Sequence, residues 1–277
     1  MLRSMLVGVD GSAYSTTAME LGICWAQRWD AVLVGLGIVD APTICKAEPV
    51  SLGATAYKVQ RDEMLLADAH HKVAQFLEHY KQRCTAAGVT YQVCQEVGSP
   101  TECLLLEATQ YDLILLGQQT FFHFETQAKP DETLHTVVKQ SPCPVIAVPA
   151  ALPEGRAAVI AYDGSPHATR ALHMFQALGL DSAYDVHVVC VDAQQKRAAC
   201  YAEHAMAFLH GHNITAQAHA LATSAEPAEV LLEQVRKLDA GLIVMGAYGR
   251  SNLREFFGTS LTRTMLEESP VPLFLYH

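Results

Sequence analysis

Val7-Gly8-Val9-Asp10-Gly11-Ser12 and Ile160-Ala161-Tyr162-Asp163-Gly164-Ser165 are two versions of one segment. Each joins an apolar run to Asp-Gly-Ser, and each opens an amphipathic stretch. The two lie far further apart than the roughly 20–50 residues of a solenoid unit, so the repeat means duplicated domains. The chain of 277 residues has length for two domains of ordinary size, and we divide it at 1–150 and 151–277.

Working outward from the first copy, 4–10 reads as a buried strand and Ser12 as the N-cap of a helix over 13–28. Apolar residues 31–39 make a second strand, followed by a polar loop near 41–57. A long helical pattern over 58–87 stops at Gly88, a C-cap. A strand at 90–97, a helix at 100–110, a strand at 112–117, a helix near 131–140 and a strand at 143–149 complete the half. The second copy repeats the order, with strands at 157–162, 185–191, 214–221, 241–246 and 271–276. Its helices fall near 166–179, 194–211, 226–238 and 259–268.

Strands alternating with helices imply right-handed crossovers and a parallel sheet covered on both faces. Continuous apolar strands such as Leu113-Ile114-Leu115-Leu116 and Leu242-Ile243-Val244-Met245 fit that burial. The expected fold class is α/β: two doubly wound, five-stranded parallel-sheet domains, Rossmann-like, forming an intramolecular pseudo-dimer in which 143–149 pairs with 271–276. Ligands in such sheets bind beyond the carboxyl ends of the strands. Both Asp-Gly-Ser strings and the glycines Gly117 and Gly246 fall at such ends.

Composition narrows the function. The formal charge is −10 and neither half is basic, which argues against sequence-independent nucleic-acid binding and against adhesion to anionic membranes. There is no apolar run of spanning length and no room for a signal segment before the first strand, so a cytoplasmic location is expected. The eight cysteines form no Cys-x-x-Cys and read as small buried hydrophobes in a reducing compartment.

The segment with most chemical content is Gly246-Ala247-Tyr248-Gly249-Arg250-Ser251-Asn252-Leu253-Arg254-Glu255-Phe256-Phe257-Gly258-Thr259-Ser260. Its glycines allow a backbone to approach a ligand closely. Gly258-Thr259-Ser260 leads into a helix whose first N–H groups suit a phosphate. No lysine sits at a Walker position, so this is not a P-loop. A pair of loop glycines after a strand also serves as an ordinary turn. In the first half Gly117 is followed by Gln118-Gln119-Thr120-Phe121-Phe122-His123-Phe124, and no glycine occurs from 118 to 150. That loop is expected to pack on the sister domain or to build a different pocket, not to hold a nucleotide.

The string Gly246-Ala247-Tyr248-Gly249-Arg250-Ser251-Asn252-Leu253-Arg254-Glu255, the later Ser269-Pro270-Val271-Pro272-Leu273-Phe274-Leu275, the two Asp-Gly-Ser segments and Gly98-Ser99-Pro100 resemble the universal stress protein family, over nearly the whole chain. The resemblance implies a tandem member of a superfamily of adenine-nucleotide α-hydrolase-like proteins, pairing through last strands, one subset of which binds ATP. That subset carries Gly-x2-Gly-x9-Gly-Ser/Thr. Gly246 and Gly249 match, but Gly258 follows after eight residues rather than nine, so ungapped alignment puts Thr259 on the family glycine and Ser260 on the hydroxyl residue.

By the same correspondence Asp163 meets the ribose or a metal-bridged phosphate, and Ala161 touches the nucleotide. Cys190 and Val191 lie against the adenine, Met245 lies beneath the nucleotide, and Leu261 belongs to the helix that follows the phosphate loop. The cofactor implied is ATP or another adenine nucleotide, with Mg²⁺ as its companion. A homodimer and an unidentified protein partner complete the expectation.

Other chemistries fare worse. His204, His210, His212, His70, His71 and His79 show no metal-ligand spacing and read as surface residues, so no metal-ligating residue is expected. No Gly-x-Ser-x-Gly elbow announces a hydrolase. Ser12 and Ser165 stand where caps belong. With no general base evident, no catalytic residue is expected and any ATP hydrolysis would be slow. Two other readings stay open: a nucleotide-free scaffold using the 41–57 loop and the 121–124 aromatics to engage a protein, and a slow nucleotide hydrolase.

Overall fold

The structure is a computed structural model that describes residues 1–46, 55–120, 122, 132–248 and 257–277. The expected alternation is present throughout. The first repeat runs β1 (Ser4–Gly8), α1 (Ala13–Trp29), β2 (Val32–Val39), α2 (Ala41–Ile44), α3 (Thr55–Ala87), β3 (Tyr91–Val97), α4 (Pro100–Glu107), β4 (Leu113–Gly117), α5 (Thr133–Gln140) and β5 (Val145–Val148). The second runs β6 (Ala157–Ala161), α6 (Pro166–Ala177), β7 (Asp185–Asp192), α7 (Gln195–Gly211), β8 (Ala216–Ala222), α8 (Pro227–Lys237), β9 (Ala240–Gly246), α9 (Phe257–Glu268) and β10 (Leu273–Tyr276).

The chain divides into two compact units, Arg3–Val137 and Val138–His277, the second also taking Met1–Leu2. In the first unit the strand order is β3-β2-β1-β4, all parallel. In the second it is β5-β10-β9-β6-β7-β8, parallel except where β5 meets β10. That antiparallel pair sets Ala147 against Leu273 and Val145 against Leu275. It is the expected pairing of last strands, and it carries β5 of the first repeat into the second compact unit.

Local chemistry explains the elements. Ser12 Oγ accepts the Ser15 N–H at 3.0 Å and starts α1. Gly88, at φ +69°, ends α3 as expected. The polar loop near 41–57 contains a short helix not expected, α2, for which Asp40 is the N-cap; residues 47–54 of that loop lie outside the described residues. In the first unit Leu6, Leu33, Leu36, Leu113 and Ile114 are fully buried. Tyr80 lies across Gly35 of β2, and its hydroxyl donates to the Leu33 carbonyl at 2.7 Å, so a bulky side chain is buried with its polar tip satisfied. In the second unit Phe175 of α6 meets Phe274 of β10 edge-on, with centroids 6.3 Å apart.

The cysteines depart from their reading. Cys84, Cys143 and Cys190 are buried, but Cys24, Cys45 and Cys200 are exposed and Cys94 and Cys103 half-buried. The apolar neighbours of a residue in sequence do not decide its exposure on an edge strand or on the outer face of a helix. His70, His71, His79, His204, His210 and His212 are all exposed, as expected.

Candidate functional site

Each Asp-Gly-Ser string folds the same way at the carboxyl end of its strand. The aspartate Oδ1 accepts the N–H of the serine two residues on, at 2.9 Å in both copies. The glycine between them takes φ +79° at Gly11 and φ +75° at Gly164, a conformation in which a side chain is strained. The serine then caps its helix, Ser165 Oγ accepting the Ala168 N–H at 3.2 Å. The motif is therefore a strand-to-helix turn first. Whether it is also a binding site depends on what surrounds it.

The two surroundings differ. Asp10 is only 5 % exposed, whereas Asp163 is exposed. In the first repeat Phe122, itself 1 % exposed, comes back over the end of β1. A Cβ placed on Gly8 would lie 3.0 Å from its ring and 2.6 Å from Leu116 Cδ2. The phenyl ring thus fills the space beyond β1 and β4 from within its own unit. Of the aromatic stretch 121–124, this one ring therefore packs within its own unit. Phe121, His123 and Phe124 lie outside the described residues.

In the second repeat the register sets two of the expected residues, Ala161 and Met245, level with each other. Ala161 at the end of β6 pairs with Val189 of β7 and with Met245 of β9. Ala161, Val191, Gly246 and Leu261 are half-buried, while Met245 is 3 % exposed and Cys190 fully buried. Burial, and then the nearby Asp163 carboxylate, push the Cys190 thiol up to about 12, so this cysteine is a neutral apolar group beside Asp163. Gly249 lies outside the described residues. Gly258, Thr259 and Ser260 fall in the first turn of α9.

Gly246 has a second explanation. A Cβ there would lie 2.5 Å from the Ala168 nitrogen and 2.6 Å from the His167 carbonyl carbon. At Gly117 it would lie 2.5 Å from Tyr14 Cβ. Both glycines let the first turn of a helix press against the end of the fourth strand of the repeat, so Gly246 is required by packing whether or not a ligand binds.

Four residues at this end escaped the sequence. Tyr248, at φ +50°, donates its N–H to Thr262 Oγ1 at 3.2 Å, tying the start of the glycine-containing loop to α9. Thr262 is 1 % exposed. His167 Nδ1 and His277 Nε2 are buried atoms without a hydrogen-bond partner among the described residues. Burial, then Arg170 and His277, hold the His167 imidazole below its ordinary pKa. Nothing in sequence separates these two histidines from the surface ones.

Comparison with known proteins follows this geometry. The Universal stress protein family profile matches residues 1–149 and again 156–277. A universal stress protein of Synechocystis sp., Slr1230, is 22% identical over 289 residues, covering 99% of this chain and 100% of that protein. A crystal structure of a universal stress protein from Archaeoglobus fulgidus superposes with a TM-score of 0.69 at 20% identity, covering 99% of this chain and 97% of that one. A functionally unknown protein of Pseudomonas aeruginosa PAO1 gives a TM-score of 0.58 at 16% identity, over 99% and 92% of the two chains. At such identities the structural likeness speaks for the fold. The chain belongs to the universal stress protein family, with two copies of the domain in tandem.

Proposed function

We propose that this tandem universal stress protein binds an adenine nucleotide, ATP first among them, in its second repeat, and that its first repeat (1–150) no longer does. The observation that carries the reading is the contrast between Asp163, open to solvent beside Ala161 and Val191, and Asp10, buried in a repeat whose crevice Phe122 fills. Adenine would lie against Val191 and the Cys190 end of β7, over Met245. The phosphates would meet Gly249 and the first turn of α9 at Gly258, Thr259, Ser260 and Leu261, where backbone N–H groups and the positive helix end favour anions. Mg²⁺ held by one carboxylate and by phosphate oxygens is its usual mode of binding, and the exposed Asp163 fits that donor set.

The role is regulatory rather than catalytic, in the cytoplasm, with occupancy of the second repeat as the signal passed to a partner chain or a second copy. Among the described residues no helix is long and apolar enough to cross a membrane.

Calorimetric titration with ATP and Mg²⁺ tests this. The intact chain takes up one nucleotide, Asp163→Ala weakens binding at least about tenfold, as loss of a charge-assisted contact would, and Asp10→Ala leaves it unchanged. Equal effects of the two variants would sink the reading. Gly249→Val is the loop variant of choice, because valine at Gly246 would break the packing on α6.

A second reading, a nucleotide-free scaffold for a protein partner, draws on α3. Its amino-terminal half leaves Tyr57 72% and Met64 63% exposed, next to the 41–57 loop. Absence of any thermal shift with ATP would favour it.

A further inference from the structure

The face of β3 toward α4 carries a cluster that the nucleotide site does not use. Cys94 and Glu96 alternate onto one face of this strand, which is the edge of its sheet. Glu107, near the end of α4, reaches the same place. The Cys94 thiol and one oxygen from each carboxylate lie within 4.8 Å of one another, and all three residues are half-buried. Cys103, one turn before Glu107 on α4, is half-buried as well.

We propose that Cys94, Glu96 and Glu107 form a binding site for one divalent cation of the zinc class, with water completing the coordination.

Three observations carry this. The first is spacing. The Cys94 thiol donates to Glu96 Oε1 with Sγ and oxygen 3.6 Å apart. A tetrahedral zinc with Zn–S of about 2.3 Å and Zn–O of about 2.0 Å needs a sulfur-to-oxygen edge of about 3.5 Å. Two of the ligands therefore already stand at the separation the ion requires.

The second is charge. Glu107 accepts from the neutral Gln110 amide at 3.3 Å, and among the described residues no lysine or arginine pairs with Glu96 or Glu107. Two carboxylates held together with no cation paired to either repel, and a divalent ion between them replaces that repulsion with two attractions.

The third is the internal control that the duplication provides. Leu36, beside Gly8, pairs with Cys94; Val189, beside Ala161, pairs with His219. Cys94 and His219 are thus equivalent positions, and two residues on, Glu96 corresponds to Leu221. Counting from Pro100 and Pro227, which open α4 and α8, Cys103 corresponds to Val230 and Glu107 to Gln234. The shared fold does not call for this ligand set. The first repeat alone carries it.

A thiol with two carboxylates is borderline in softness, which selects Zn²⁺, Co²⁺ or Cd²⁺ over Mg²⁺ and Ca²⁺. The test is Co²⁺ titration of the full chain after chelator dialysis, read as sulfur-to-cobalt charge transfer in the near ultraviolet. The expected result is a band that saturates at one ion per chain and that Zn²⁺ quenches while Mg²⁺ does not. Cys94→Ser removes the band. Glu107→Gln, which keeps the neutral contact to Gln110, weakens binding at least about tenfold, the least that even a supporting partner of a metal ligand costs. Cys200→Ser leaves both readouts unchanged; it removes the exposed thiol that lies 3.8 Å from His204, the rival pair. No band in the intact chain, a band that survives Cys94→Ser, or an affinity indifferent to Glu107→Gln overturns the proposal.

Discussion

Asp10 and Asp163 each accept a serine N–H at 2.9 Å, and each is followed by a glycine at φ near +77° (79° and 75°) and a capping serine. Around Asp10 the Phe122 ring lies over the end of β1. Around Asp163 the corresponding strand end carries Ala161, and the carboxylate faces solvent. The same local turn therefore serves the fold in one repeat and is available to a ligand in the other. The turn is needed in both repeats whether or not a ligand binds, because each helix needs its start. What differs among the described residues is the burial of the aspartate and the Phe122 ring over the end of β1.

The sharpest way to break this comparison is to empty the first crevice. Phe122→Ala removes a fully buried aromatic and should cost about 3–5 kcal/mol, read as a lower denaturation midpoint. A loss below about 1 kcal/mol would mean that the ring does not fill the crevice. The caps come next. Ser12→Ala and Ser165→Ala should each destabilise by about 1 kcal/mol, since their turns are alike; a large difference between them would show that the turns are not equivalent.

The smallest effect is a pH dependence confined to the second repeat, at the position equivalent to Cys94. His219 Nε2 lies 3.0 Å from His187 Nδ1. Burial, then His187 of β7 and Lys237 of α8, lower the His219 pKa from 6.5. The unfolded chain therefore takes up the proton first. The contribution is fully present above about pH 6.5 and is lost as pH falls below it. Urea denaturation between mildly acid and neutral pH should show stability falling with pH, and His219→Gln should make the slope shallower. An unchanged slope would remove His219 as its source.

Much of the fold was legible because its signals are local. The helix expected over 13–28 is Ala13–Trp29, and the strand expected over 185–191 is Asp185–Asp192. The short helix Ala41–Ile44 escaped because a single turn is too short for periodicity, although Asp40 ahead of Pro42 is a start signal. Of the candidate site, the glycines and Asp163 were legible as strand-end positions. The sequence missed Tyr248, Thr262, His167 and His277, whose importance comes from contacts between β9, α9, α6 and the residue after β10.

By itself, then, the sequence determined the duplication, the alternation of strands and helices, and the two Asp-Gly-Ser turns, since each depends on residues within a few positions of one another. Tertiary structure alone decided which aspartate is buried, what fills the first crevice, why Gly246 must be glycine, and that Cys94, Glu96 and Glu107 converge. Those outcomes rest on packing between segments distant in the chain, where the free energy of filling a space or gathering charges depends on neighbours that sequence spacing does not reveal.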